Sequence, residues 1–167
     1  GADFTAVQRA LADFRGVARR FQVVGTVRGV TFIDDYAHHP TEISATLAAA
    51  RAVHPGGRIV AAFQPHLYSR TRDLAADFGR ALADADAVWI TDVYAAREQP
   101  IEGVTGELIV AQARSAGARA VRYTPTAGAL QDELANALIE GDVCIAMGAG
   151  DIDAMLRALY ARLGEVA

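Results

Sequence analysis

The stretch Val30-Thr31-Phe32-Ile33-Asp34-Asp35-Tyr36-Ala37-His38-His39-Pro40-Thr41-Glu42 changes character twice within a few residues. Val30–Asp34 is a short run rich in the β-branched and aromatic side chains that suit a strand. A polar loop follows. Pro40 then stands where a proline is best tolerated in a helix, at its first position, where the missing N–H has no partner to lose. A strand that leads through a loop into a helix is the first half of a βαβ unit.

The same succession recurs along the chain. Short apolar runs predict further strands at Arg58–Phe63, Ala87–Thr91, Ala120–Tyr123 and Asp142–Met147. Between and after them, helical stripes run through Ile43/Leu47, Leu130/Leu134/Leu138 and Ile152/Met155/Leu156/Leu159/Leu163. Ser69, Thr105 and Thr126 suit helix N-caps. Upstream, Phe21–Val24 and Val30–Ile33, set around Gly25 and Gly29, predict a hairpin and so a short antiparallel N-terminal strand. Phe4, Val7, Leu11 and Phe14 share one helical face, and Arg15-Gly16-Val17 breaks that helix. Alternation of this kind predicts an α/β fold: a Rossmann-like, doubly wound, mostly parallel sheet with helices on both faces.

Composition narrows the function. A chain of 167 residues with 52% hydrophobic and 22% charged side chains is a single globular domain, too apolar and too weakly charged to be disordered. No apolar run approaches the roughly 20 residues that a membrane span requires. Gly1-Ala2-Asp3-Phe4 lacks the basic and apolar regions of a secretory signal. The one cysteine, Cys144, excludes an internal disulfide and suits a reducing, cytoplasmic setting. It reads as buried in its strand, and Trp89 and Met155 read as core. A net charge of −4 argues against a dedicated nucleic-acid binder. All 16 basic residues are arginine, so the chain can offer neither a Schiff-base lysine nor a P-loop lysine for nucleotide phosphates.

The polar residues cluster where such a sheet places ligands, beyond the carboxyl ends of its strands. Asp34 to Glu42 follow one strand, Gln64 to Arg72 the next, Asp92 to Glu98 a third, and Gly148-Ala149-Gly150-Asp151 the last. Arg70 and Arg72 are the natural anion binders, because a guanidinium grips carboxylate or phosphate through two parallel N–H bonds. With Ser69 as N-cap, Arg70 falls at a helix start, where its charge opposes the helix dipole and a ligand explains it better than stability does. The glycine pair fits a tight strand-to-helix turn. It opens no βαβ unit, which argues against a self-contained dehydrogenase.

Taken in order, Arg19-Arg20-Phe21, Asp34-Asp35-Tyr36-Ala37-His38-His39-Pro40-Thr41-Glu42, Phe63-Gln64-Pro65-His66-Leu67-Tyr68-Ser69-Arg70-Thr71, Asp92-Val93-Tyr94 and Gly148-Ala149-Gly150-Asp151-Ile152 resemble the C-terminal domain of the Mur ligases. The resemblance runs from Phe14 to Leu163. It implies that residues 1–14 are a linker or helix from an upstream central domain and that residues 15–167 form the C-terminal domain. It further implies an ATP-dependent carboxylate–amine ligase of peptidoglycan synthesis, joining L-alanine to UDP-N-acetylmuramate through an acyl phosphate. ATP and Mg²⁺ would then be bound mainly by the central domain.

By the same resemblance, Arg20 and Asp35 are nucleotide-binding, with Asp35 near the ribose, and Tyr36, His38, His66 and Arg70 line the amino-acid and acyl end. No residue here is expected to bind metal or to be catalytic in itself. Some relatives carry a second arginine directly after the motif histidine, where this chain has Leu67, which leaves Arg70 to act with other donors. Three other readings compete: the tripeptide-recycling ligase that uses the same UDP-sugar, a stand-alone nucleotide- or anion-binding module, and a metal-dependent hydrolase built on Asp34, Asp35, His38 and His66.

Overall fold

The computed structural model describes residues 3–12 and 16–165. In chain order the elements are α1 (Phe4–Ala12), β1 (Gln22–Val27), β2 (Val30–Asp35), α2 (Pro40–Val53), β3 (Ile59–Phe63), α3 (Tyr68–Asp73) and α4 (Ala75–Leu82). They continue with β4 (Ala87–Ile90), α5 (Gly106–Ser115), β5 (Val121–Tyr123), α6 (Ala127–Ala137), β6 (Val143–Met147) and α7 (Ile152–Glu165). The five expected parallel strands are present to within one residue at either end, and β1, which runs three residues past the expected Val24, pairs antiparallel with β2 as the expected hairpin. No helix among the described residues is long and apolar enough to cross a membrane.

One six-stranded sheet runs in the order β1-β2-β6-β3-β4-β5, parallel except at β1–β2. The last strand in sequence, β6, thus lies at the centre. Every residue of it is buried, with Val143, Ile145 and Met147 in one core and Cys144 and Ala146 in the other. A strand covered on both faces has no polar side, which is why Val143–Met147 reads as a continuous apolar run. Helices α2, α4 and α5 cover one face through Ile43, Leu47, Phe78, Leu82 and Ile109. Helices α6 and α7 cover the other through Leu130, Leu134, Met155, Leu156 and Leu159. Trp89 and Met155 lie in that second core, as expected.

One expectation fails. Ser69 is not an N-cap: α3 begins at Tyr68 with Leu67 as its cap residue, and no side chain caps it. The short N-terminal helix forms as α1, with Phe4 and Leu11 of its apolar face 72% and 68% exposed. The expected fourth member, Phe14, and the break residue Arg15 lie outside the described residues. The other caps form as read. Thr105 and Thr126 accept N–H bonds at the starts of α5 and α6, and Pro40 opens α2 behind His39.

Register brings the functional loops together. Asp35 of β2 and Phe63 of β3 both pair with Met147 of β6, and Phe63 also pairs with Ile90 of β4. Four strands therefore end level, and their loops share one rim. Between β3 and β6 the chain departs to opposite faces of the sheet, into α3 and α4 on one side and α7 on the other. That divergence opens the crevice in which ligands bind in folds of this kind.

Candidate functional site

The rim is knit from five segments. His39 caps α2 by accepting from the Thr41 N–H, and Glu42 accepts in return from the His38 and His39 N–H groups at 2.9 and 3.1 Å. This reciprocal capping box fixes the loop that carries Tyr36 and His38. His38 Nδ1 lies 2.9 Å from the Tyr36 carbonyl and 3.3 Å from the Glu42 carboxylate. Burial pushes Glu42 up, but the His38 N–H and its neighbours outweigh it and hold the acid below the usual carboxylate range. Glu42 is thus an anion at neutral pH.

Asp35 is 6% exposed, and each of its oxygens accepts a backbone N–H, from Phe21 and Ala37, at 2.8 Å. It ties the strand end to the segment entering β1. Arg20 is the looser of the two arginines there. Its side chain is 56% exposed, 3.9 Å from Glu42 and 5.8 Å from the centre of the Tyr36 ring.

From the β3–α3 loop, His66 stacks on Tyr94 with ring centres 5.7 Å apart and meets His38 edge-on at 6.0 Å, while His38 meets Tyr36 at 5.2 Å. Four rings thus form a chain across three loops. Burial, with Arg70 and His38 adding to it, lowers the His66 pKa and keeps the imidazole neutral at pH 7. His66 Nδ1 and Arg70 Nη1 are both buried without a hydrogen-bond partner. An unpaired guanidinium N–H is costly to bury, and an incoming carboxylate satisfies it with a charge-assisted bond. All four residues expected at the amino-acid end, Tyr36, His38, His66 and Arg70, accordingly sit at one rim.

Several further members of the rim had no role assigned from the sequence. Arg19 folds in where Arg20 does not. Its Nη2 donates to the Gly148 carbonyl at 2.8 Å and its Nη1 to the Gly150 carbonyl at 3.3 Å, and its guanidinium lies 5.0 Å from the Tyr36 ring centre. It also lies 3.7 Å from the fully buried Asp34, which Arg157 of α7 approaches to 3.4 Å. Burial raises the Asp34 pKa even so, and the two arginines offset only part of it. Gln64 donates to Asp151 at 2.8 Å. A Cβ at Gly148, whose φ is +154°, would stand 2.9 Å from the Gln64 carbonyl, and one at Gly150 would enter the Gln64 and Tyr94 side chains. This glycine pair serves the close approach of two loops. Glu98, from the β4–α5 loop, accepts from both the N–H and the hydroxyl of Ser69. Asp34, Gln64, Glu98 and Gly148-Ala149-Gly150-Asp151 already stand in the polar clusters at the strand ends, but which of them pair with one another has no local signal in the sequence.

The hydrolase reading finds no support in this geometry: Asp34 lies against arginines, and among the described residues no three His, Cys, Asp or Glu side chains gather as metal ligands.

Comparison with known proteins bears on the family and the fold. The family model for the Mur ligase, glutamate ligase domain, matches residues 19–150. The UDP-N-acetylmuramate–L-alanine ligase of Desulforamulus reducens is 49% identical over 163 residues, which cover 98% of this chain and 35% of that protein. The crystal structure of the UDP-N-acetylmuramate–alanine ligase MurC from Thermotoga maritima superposes with a TM-score of 0.82 at 32% identity, covering all of this chain and 35% of that one. A domain assigned to a UDP-N-acetylmuramate:L-alanyl-γ-D-glutamyl-meso-diaminopimelate ligase of Haemophilus ducreyi is 28% identical, with a TM-score of 0.64 over 86% of this chain and 99% of that one. This chain therefore spans about a third of the length of the L-alanine ligases it matches. The family-model match over residues 19–150, which span this sheet from β1 to the end of β6, places the chain in the Mur ligase family, as its glutamate ligase domain.

Proposed function

We propose that this chain is the amino-acid-positioning, nucleotide-closing domain of the ATP-dependent ligase that joins L-alanine to UDP-N-acetylmuramate in peptidoglycan synthesis. The observation that carries this reading is the buried, unpaired Nη1 of Arg70 beside a neutral His66. Two cations on a neutral rim would hold phosphate as readily as carboxylate. A single bidentate donor beside an uncharged imidazole suits the lone carboxylate of a small amino acid. By structural superposition the L-alanine ligase MurC matches at 32% identity and a TM-score of 0.82, against 28% and 0.64 for the tripeptide ligase domain, which favours L-alanine over the recycled tripeptide.

In this reaction a muramoyl carboxylate oxygen takes the γ-phosphoryl group of ATP, releasing ADP. The amine of L-alanine attacks the acyl carbon, and the tetrahedral intermediate expels phosphate as the amide forms. Mg²⁺, when bound, neutralises phosphate charge along this path. Our residues bind and orient. Arg70 holds the L-alanine carboxylate so that the amine faces the acyl phosphate, which lowers the entropic cost of the attack. Tyr36 and His38 line the acyl end. Arg20, half exposed and weakly paired, fits the nucleotide phosphates. Asp35 would meet the ribose through the lone pairs its backbone bonds leave free. With no lysine in the chain, the lysine that grips ATP belongs to the remaining two-thirds of the enzyme, to which residues 1–14 lead as linker.

The test is phosphate release by the full-length protein supplied with ATP, UDP-N-acetylmuramate and L-alanine. Arg70→Ala should lower kcat/KM for L-alanine by about 10- to 100-fold, the loss of a charge-assisted contact of roughly 1.5–3 kcal/mol. Unchanged kinetics would remove Arg70 from the site. A wild-type protein that accepts the tripeptide and ignores L-alanine would establish the recycling ligase instead.

A further inference from the structure

Arg70 sits on a helix of six residues that has no side-chain cap of its own. Its backbone starts from Leu67, whose φ of +74° is unfavourable for a residue with a Cβ. Such a short helix is marginal by itself. What holds it is a second loop. The Tyr94 N–H donates to the Pro65 carbonyl at 2.8 Å, and the Leu67 N–H donates to the Tyr94 carbonyl at 3.0 Å. Four residues further on, Glu98 accepts from the Ser69 N–H at 2.9 Å and from the Ser69 hydroxyl. One carboxylate, 29 residues away in sequence, thus supplies the cap that α3 lacks, and it does so at the residue next to Arg70.

We propose that Glu98 is a positioning residue for amino-acid recognition: through Ser69 it fixes the first turn of α3, and so the direction in which Arg70 presents its guanidinium. The proposal rests on the reading of Arg70 as the carboxylate-binding group. Two features support it besides the bonds. The Ser69 hydroxyl, then its N–H, and more weakly Arg70 hold the Glu98 pKa below the usual carboxylate range, so the carboxylate stays an acceptor. In addition, Arg70 Nη1 is buried and has no hydrogen-bond partner among the described residues, so no bond at that atom sets its aim. The aim is set by the backbone that Glu98 holds. The same loop supplies Tyr94 to the stack on His66, so the β4–α5 loop places both halves of the amino-acid end.

The experiment uses the full-length enzyme and measures KM for L-alanine, ATP and UDP-N-acetylmuramate separately. Glu98→Ala should raise KM for L-alanine five- to tenfold and leave the other two within twofold. Ser69→Ala removes only the hydroxyl arm and should raise it by less. The double variant should match Glu98→Ala, because both changes break one path. Ser69→Ala alone is too small a change to prevent folding. Equal rises in all three KM values, an unchanged KM for L-alanine, or additive effects in the double variant would each overturn the proposal. Arg70→Ala in the same assay separates the two levels. If it raises KM for L-alanine while Glu98→Ala does not, the clamp is wrong and the site reading stands. If Arg70→Ala leaves KM unchanged, the site reading fails and the clamp falls with it.

Discussion

Arg19 shows how much one side chain can decide in this molecule. It bridges the segment before β1 to the carbonyls of Gly148 and Gly150 and stands beside the buried Asp34. Arg19→Met should cost about 3 kcal/mol, because it leaves a buried carboxylate with only the half-exposed Arg157 as counter-charge. A chemical denaturation midpoint measures this directly, and a loss under 1 kcal/mol would show that the network is incidental. His66 makes a prediction in pH. Its pKa lies below the ordinary value of 6.5 in the folded chain, so below pH 6.5 the unfolded chain takes up a proton that the folded one refuses. The contribution of His66 is therefore complete above pH 6.5 and is lost as pH falls through the folded pKa. His66→Gln should flatten the fall in stability between pH 7 and 5, and an unaltered slope would refute the assignment. In the sequence His66 and Arg70 stood out as polar residues after an apolar run. Arg19 did not stand out from Arg20, because its partners lie about 130 residues away.

Helices α4 and α5 meet at Gly79. A Cβ there would come within 2.5 Å of the Gln112 backbone, in a helix where alanine is otherwise the better residue by about 1 kcal/mol. Gly79→Ala should therefore destabilise the chain in urea, against its helix propensity, by forcing α4 off α5. A gain in stability would mean that the two helices separate at little cost. The elements themselves were largely legible. Pro40, Thr105 and Thr126 marked three helix starts correctly, since a cap is a bond between near neighbours. Ser69 misled because its hydroxyl found Glu98 in another loop before it found its own helix. A serine offers the same local bond in either case, and only the tertiary partner decides between them.

The whole molecule is one sheet with a core on each face, and the two cores should unfold together. Leu47→Ala on the α2 face and Leu134→Ala on the α6 face each remove a fully packed side chain, at about 2–5 kcal/mol apiece. The pair should add, since a sheet separates the sites, and both should shift one and the same transition in far- and near-ultraviolet circular dichroism. Two separated transitions would show that the faces are independent. The α/β class, the strand positions, most helix starts and the loops that would hold polar groups could be read from the chain's residues alone. These follow from periodicity, which records locally which side chains are buried. Sequence also determined that no lysine of this chain grips ATP. Long-range packing set that β6 lies between β2 and β3, that four strands end level, and that Arg19 meets Gly148 and Glu98 meets Ser69. Alternative strand orders use the same backbone hydrogen bonds and the same buried faces. The choice among them rests on packing between elements far apart in the chain, which no local pattern records.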